Sequence, residues 1–320
     1  SSHRRPTVTR FHITLTLTHS RDYRAHRSMQ LHALAALAAL VDPAVIRDTF
    51  KSGIQKCIQQ HGFETSKPIV VTAFDDGYNE TALKWAARNN QLGVSQYLTI
   101  AMEPTTVEFV RRNGFPALTA DGDCVDPNQT SPSLFQAQRW ELPKMLSVVK
   151  FLVPGILMQE GWKRVLFSEM DVFFFENPFD ATGAVQGNFL AMADCSECSE
   201  ANIGFMEFRP DGKGQMAAMI LDFALAMAED ADRNQKVARD QKMFNRYIKD
   251  FPFFHTTMLD PSYFAVKGGW RTDFTKVVHF AFSGPECKME RLNQLYDNPA
   301  SPVADQPGEH RAGQPHWQEC

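Results

Sequence analysis

Three apolar runs in this chain end on acidic residues, and that pattern narrows the fold more than any other feature. Ile69 to Phe74 stops at Asp75-Asp76-Gly77, Arg164 to Ser168 at Glu169-Met170-Asp171, and Asn188 to Ala193 at Asp194. By length and apolar content each reads as a buried strand. A helical pattern follows the first run, starting at Asn79, which can cap it, and stopping at Gly93. A second strand at Tyr97 to Ala101 leads into a helix from Pro104 to Asn113, closed by Gly114. Further strands are expected over 172–175, 203–208 and 277–282, and further helices over 139–152, 214–229 and 239–249; residues 116–137 read as a loop. Strands alternating with helices predict an α/β fold with a mostly parallel central sheet flanked by helices.

In open α/β sheets, ligands gather at the carboxyl ends of the strands. Three acidic strand ends would therefore surround one crevice. Carboxylates bind hard divalent cations, and such cations bind diphosphates. Glu169 and Asp171 carry the sharpest signal. Their i, i+2 spacing points both side chains the same way from an extended chain. The bland reading is a pair of solvated acids at a strand end. Against it, Val165-Leu166-Phe167 precedes them and Val172 to Phe175 follows. Two carboxylates between greasy strands cost desolvation that a cation would compensate.

Bulk properties fit this picture. The 320 residues, 43% hydrophobic and 22% charged, have an ordinary globular composition, and a net charge of −4 gives no pull toward nucleic acid. Cys195 and Cys198 have the gap of a zinc knuckle, but no second pair completes a four-cysteine site, so a disulfide or free thiols are expected. Asn79-Glu80-Thr81 and Asn128-Gln129-Thr130 have the form of glycosylation acceptors. Leu31 to Val41 is about half the length of a bilayer span. Its leucines recur every three residues, so it reads as an amphipathic helix in preference to a signal-anchor remnant. Lys144 and Lys150 read as surface charges on a helix, and Trp85, Trp140 and Trp162 as packing residues. Residues 1–27 are expected to form a disordered lead, 28–65 a helical segment, 66–296 a single domain and 297–320 a flexible tail.

The run from Val165 through Glu169-Met170-Asp171 to Asn177-Pro178-Phe179 resembles the signature of the nucleotide-diphospho-sugar transferases of glycosyltransferase family 77. There a strand enters an Asp-x-Asp metal motif and a short apolar stretch leads to Pro-Phe. Other segments resemble that family in the same order. They are Val70-Val71-Thr72-Ala73 with the helix after Asn79, Asn202-Ile203-Gly204-Phe205 with Arg209-Pro210, and Asp240-Gln241 with Phe244-Asn245. His279, Gly284 and Lys288 resemble a C-terminal His…Gly…Lys arrangement of related retaining enzymes. The likeness covers about 66–296. It departs where Glu169 replaces the first Asp of the metal motif and where the step from His279 to Gly284 is longer than in related families.

The resemblance implies a single GT-A type, Rossmann-like domain and a retaining transfer from a nucleotide sugar, usually a uridine diphosphate pentose or hexose, to a glycan or glycoprotein acceptor. It implies Mn²⁺ (or Mg²⁺) on Glu169, Asp171 and His279, and a nucleotide-sugar site of Thr72, Ala73, Asp76, Asn202, Gly204, Gly284 and Lys288. Asp194, Asp240 and Gln241 would flank the anomeric carbon, with Asp194, Asn202, Asp240 and Gln241 as candidates to hold the donor sugar. No covalent nucleophile is assigned. The expected setting is the Golgi or secretory-pathway lumen, for a type II membrane protein whose N-terminal anchor is absent or truncated. Simpler roles exist for several of these residues. His279 could be a satisfied core histidine, Asp240 a helix cap, and Asn202 and Gly204 turn formers. The competing function is a non-catalytic scaffold on a decayed transferase fold. A dinucleotide-dependent oxidoreductase is disfavoured, because no Gly-x-Gly-x-x-Gly follows the first strand. A metal-dependent phosphatase would need a nucleophile or second metal that the sequence does not place.

Overall fold

A computed structural model describes residues 43–128, 142–194, 199–210, 212–233, 240–251, 255–266, 275–281 and 285–299. The sequence expectations on Leu31 to Val41, Trp140, Cys195 and Cys198 lie outside those residues.

Seven strands form the main sheet. They are β1 (Ile69–Phe74), β2 (Tyr97–Ala101), β3 (Ala117–Thr119), β4 (Val165–Ser168), β6 (Phe189–Ala193), β7 (Ala201–Phe208) and β8 (Thr256–Leu259), in the order β3-β2-β1-β4-β7-β6-β8. The first four run parallel, β7 is antiparallel to both β4 and β6, and β8 runs parallel to β6. β5 (Val172–Phe174), β9 (Phe264–Val266) and β10 (Val277–His279) make a second sheet, in the order β5-β10-β9. The expected mixed α/β class with a mostly parallel central sheet is the one the chain adopts.

Both faces of the main sheet are covered, which explains the unbroken apolar runs of its strands. Along β1, Ile69, Val71 and Ala73 face one core, and Val70 and Phe74 face the other. The first core is closed by α1 (Pro43–His61), α4 (Leu142–Gln159), α6 (Gln215–Arg233) and α7 (Asp240–Lys249). The second is closed by α2 (Asn79–Gln91) and α3 (Pro104–Arg112). The abundant phenylalanines fill these cores. Phe151, Phe223 and Phe244 pack with ring centroids 4.7–5.2 Å apart, each pair adding about 0.5–1.5 kcal/mol beyond burial. A short helix, α5 (Pro178–Ala181), is capped by Asn177. The last helix, α8 (Pro285–Asp297), packs Leu292 and Leu295 against Phe173, Val278 and Phe280.

Several elements differ from expectation. α4 runs on through Pro154 to Gln159. Packing outweighs the lost backbone bond there, with Gly155 so close to α6 that a Cβ would lie 2.8 Å from Leu221. Asn79 does not cap α2. A 3₁₀ turn at Asp76–Tyr78 precedes that helix, Asp75 caps the turn, and the Asn79 amide oxygen is buried without a partner. α1 is bound to the domain by a disulfide between Cys57 and Cys124. The contact beside it is tight, since a Cβ on Gly53 would fall 1.7 Å from the Gly122 carbonyl oxygen. No described helix is long and apolar enough to cross a membrane.

Candidate functional site

The connection from β4 to β5 carries Glu169-Met170-Asp171 from one sheet to the other. Two pairings then bring distant residues to it. β10 lies antiparallel to β5 with His279 opposite Val172, and the Phe280 N–H donates to the Asp171 carbonyl at 3.0 Å. On the other side, Ser168 of β4 is opposite Phe205 of β7, and the Glu169 N–H donates to the Gly204 carbonyl at 2.8 Å. Glu169, Asp171 and His279 therefore converge, with one candidate ligand atom from each lying within 4.8 Å of the others.

His279 is 2% exposed. Its Nε2 lies 3.3 Å from a Glu169 oxygen and 3.2 Å from an Asp171 oxygen, yet forms no aligned hydrogen bond. Its Nδ1 is 2.9 Å from the Asn202 oxygen. Burial lowers the imidazole pKa, but Asp171 and Glu169 outweigh it and hold the value up to about 9. Burial likewise raises both carboxyls, and this is overcome at Glu169 chiefly by Lys150 and His279, and at Asp171 by His279 with help from Lys288. Both stay below the usual carboxylate range.

Two lysines frame the cluster. Lys288, in the first turns of α8, donates to Asp171 at 2.7 Å. A cation near a helix N-terminus opposes the helix dipole, so the anion beside it accounts for its position. Lys150 corrects the sequence reading of a surface charge. It is 3% exposed and reaches Glu169 at 2.9 Å and Asp240 at 3.0 Å. Lys144, also read as a surface charge, is buried too. Burial works against the Lys150 charge, but Glu169 and Asp240 raise its pKa overall.

The remaining sequence candidates fall into place around this core. Asp240 opens α7 and accepts from Ser147 at 3.2 Å as well as from Lys150. Gln241 accepts from the Ile203 N–H at 3.4 Å, and Asn245 holds both backbone groups of Ala201, fastening α7 to β7. Asn202 donates to Asp194 at 3.1 Å. Gly204 lies against the His279 ring. A cavity of about 310 Å³ opens on the cluster, a size suited to small-molecule ligands. Phe74, Met102, Leu146 and Met170 give it an apolar wall, while Asp75, Glu169, Asp171 and Lys288 give it a charged end. Ala73 lines it, whereas Thr72 is fully buried and is not among its described lining residues. Asp75 faces the cavity and Asp76 does not. Asp76 is exposed and meets Thr105 at 3.4 Å. Gly284 lies outside the described residues. A second cavity of about 410 Å³ is lined by Glu200, Asp240, Gln241 and Lys242.

Carboxylates at the carboxyl end of β4 meet an imidazole from the second sheet beside a cavity with an apolar wall, the place where open α/β folds bind their ligands. More narrowly, the chain belongs to the nucleotide-diphospho-sugar transferase family, whose model matches residues 92–292, and it is a nucleotide-sugar-dependent glycosyltransferase. No curated protein matches the chain at a significant level. Among solved structures it is similar to the galactosyltransferase LgtC in complex with donor and acceptor sugar analogues, at 13% identity and a TM-score of 0.42 over 71% of this chain and 95% of that one. It is also similar to the glycosyltransferase GlyE of Streptococcus pneumoniae, at 14% identity and 0.44 over 73% and 64%. The third is mouse xyloside xylosyltransferase 1, at 9% identity and 0.41 over 68% and 98%.

Proposed function

We propose that this glycosyltransferase is metal-dependent and retaining, moving a pentose or hexose from its uridine diphosphate to a hydroxyl of a glycan or glycoprotein. The observation that carries the reading is the His279 Nε2, buried between two carboxylates and without a hydrogen bond of its own. A nitrogen and two carboxylate oxygens meeting at one point suit a divalent ion such as Mn²⁺, with Mg²⁺ the alternative. When bound, such an ion neutralises the charge that builds on a departing diphosphate.

The chain's own residues supply the rest. Lys288 adds a second cation at the phosphates. Ala73 and Asp75 line the cavity where the nucleoside would lie. Asp240 and Gln241, which line the second cavity, flank the sugar, and Asp194 lies further back against Asn202. In front-face substitution the anomeric carbon–phosphate oxygen bond breaks while a bond to the acceptor oxygen forms on the same face. The acceptor's proton passes to the leaving phosphate oxygen. The Cys57–Cys124 disulfide supports an oxidising, secretory compartment such as the Golgi lumen.

The test is donor hydrolysis across a panel of nucleotide sugars, each with Mn²⁺ and with chelator. Hydrolysis of one uridine diphosphate sugar, dependent on metal and lost in Asp171→Asn, is expected. A panel with no turnover would support the scaffold reading, and turnover indifferent to chelator would remove the metal.

A further inference from the structure

We propose that Asn202 and Gly204 are positioning residues that set the orientation and tautomer of His279, and are not contacts for the donor sugar. The inference rests on the metal reading above. Two fixed partners decide how the Asn202 amide is turned. Its nitrogen lies 3.1 Å from an Asp194 carboxylate oxygen, an acceptor. Its oxygen accepts the Gly204 backbone N–H at 3.0 Å, a group that only donates. The same oxygen is 2.9 Å from His279 Nδ1, so that nitrogen carries the hydrogen. In the neutral ring, Nε2 then presents its lone pair toward Glu169 and Asp171, where a proton or a metal ion can use it.

Gly204 does the steric half. A Cβ at that position would lie 2.2 Å from His279 Cε1 and 2.8 Å from each ring nitrogen. The ring thus occupies the space that any other residue's side chain would fill. The backbone of Gly204 is not in the left-handed region, so alanine is excluded there by the imidazole alone. Asp194, Asn202 and Gly204, from the end of β6 and from β7, form the outer support of one metal ligand. Partners of this kind commonly contribute roughly 10–100-fold in metal affinity.

Mn²⁺ titration followed by the paramagnetic resonance of the free ion tests this, with thermal melts run alongside. Asn202→Ala and Gly204→Ala are each expected to weaken Mn²⁺ binding by roughly 10–100-fold while remaining folded. The double substitution of Asp194→Asn with Asn202→Asp keeps an acceptor toward His279 and a donor behind it, and is expected to recover binding. A purely structural role would show in the melts and leave the Mn²⁺ affinity of the folded variants unchanged. Unchanged Mn²⁺ affinity in Asn202→Ala with a raised donor KM would make Asn202 a sugar contact and overturn the proposal. So would failure of the exchanged pair to recover binding in folded protein. A wild-type protein that binds no Mn²⁺ sinks the metal reading as well, whereas wild-type binding with unaffected variants sinks this inference alone.

Discussion

Replacing Lys150 with methionine isolates the least visible part of the site. Methionine fills most of the same volume and removes only the charge. Lys150 is the ammonium between Glu169 and Asp240, with 4% of its side chain exposed. Removing one member of a fully buried ion pair costs about 3–5 kcal/mol. The full figure does not apply. Glu169 and Asp240 keep 27% and 23% side-chain exposure, Glu169 keeps His279, and Asp240 keeps Ser147. Screening by solvent and these remaining partners reduce the expected loss to about 2–3 kcal/mol. That corresponds to a melting temperature lower by roughly 4–6 °C in a domain of this size. Urea denaturation of the metal-free protein measures it, with Lys150→Met plus Asp240→Asn as the control. Removing the stranded acid should restore part of the loss, so the double substitution should cost less than the sum of its parts. A loss under about 0.5 kcal/mol, or strict additivity, would refute the claim that this lysine is held by the two acids.

Glu207 is fully buried, with Arg164 at 2.6 Å and Arg209 at 2.8 Å, at the end of β4 away from the site. Glu207→Gln should cost about 3–5 kcal/mol in denaturation while leaving turnover per folded molecule intact. Cys57→Ser should cost about 4 kcal/mol from the opening of a 67-residue loop, read by calorimetry under non-reducing conditions. The metal-free protein should lose stability with rising pH. His279 binds its proton more tightly when folded, at about 9 against 6.5, so its contribution is complete below pH 6.5 and gone above about 9. Melts in chelator across that window measure the decline, and His279→Gln should abolish it. Mn²⁺ competes for the same nitrogen, so its affinity should rise over the same window.

Much of this was legible because local pattern and long-range pairing agree. The runs at 69–74, 97–101 and 189–193 are buried on both faces, and their composition says so without reference to partners. The acids that follow the runs at 69–74, 165–168 and 189–193 mark the crevice for the same reason. β3, β8 and β9 were not readable. They span three or four residues each, and pairing with remote segments holds them, as β6 holds β8. α8 did leave a signal, since Met289, Leu292, Leu295 and Tyr296 recur at helical spacing. So did Lys150, a single charge among Val148, Val149, Phe151 and Leu152, which must find an anion if its helix is buried. The choice of Asp75 over Asp76 left none. Both are adjacent acids, and only the 3₁₀ turn that Asp75 caps decides which one faces the cavity.

Calorimetric titration of uridine diphosphate into the protein, with Mn²⁺ and then with chelator, bears most directly on the claim that Glu169, Asp171 and His279 hold a divalent ion against a nucleotide's phosphates. The account expects clear binding with Mn²⁺, little without it, and loss of the metal-dependent part in Asp171→Asn. Equal affinity in both conditions, or none in either, would contradict it.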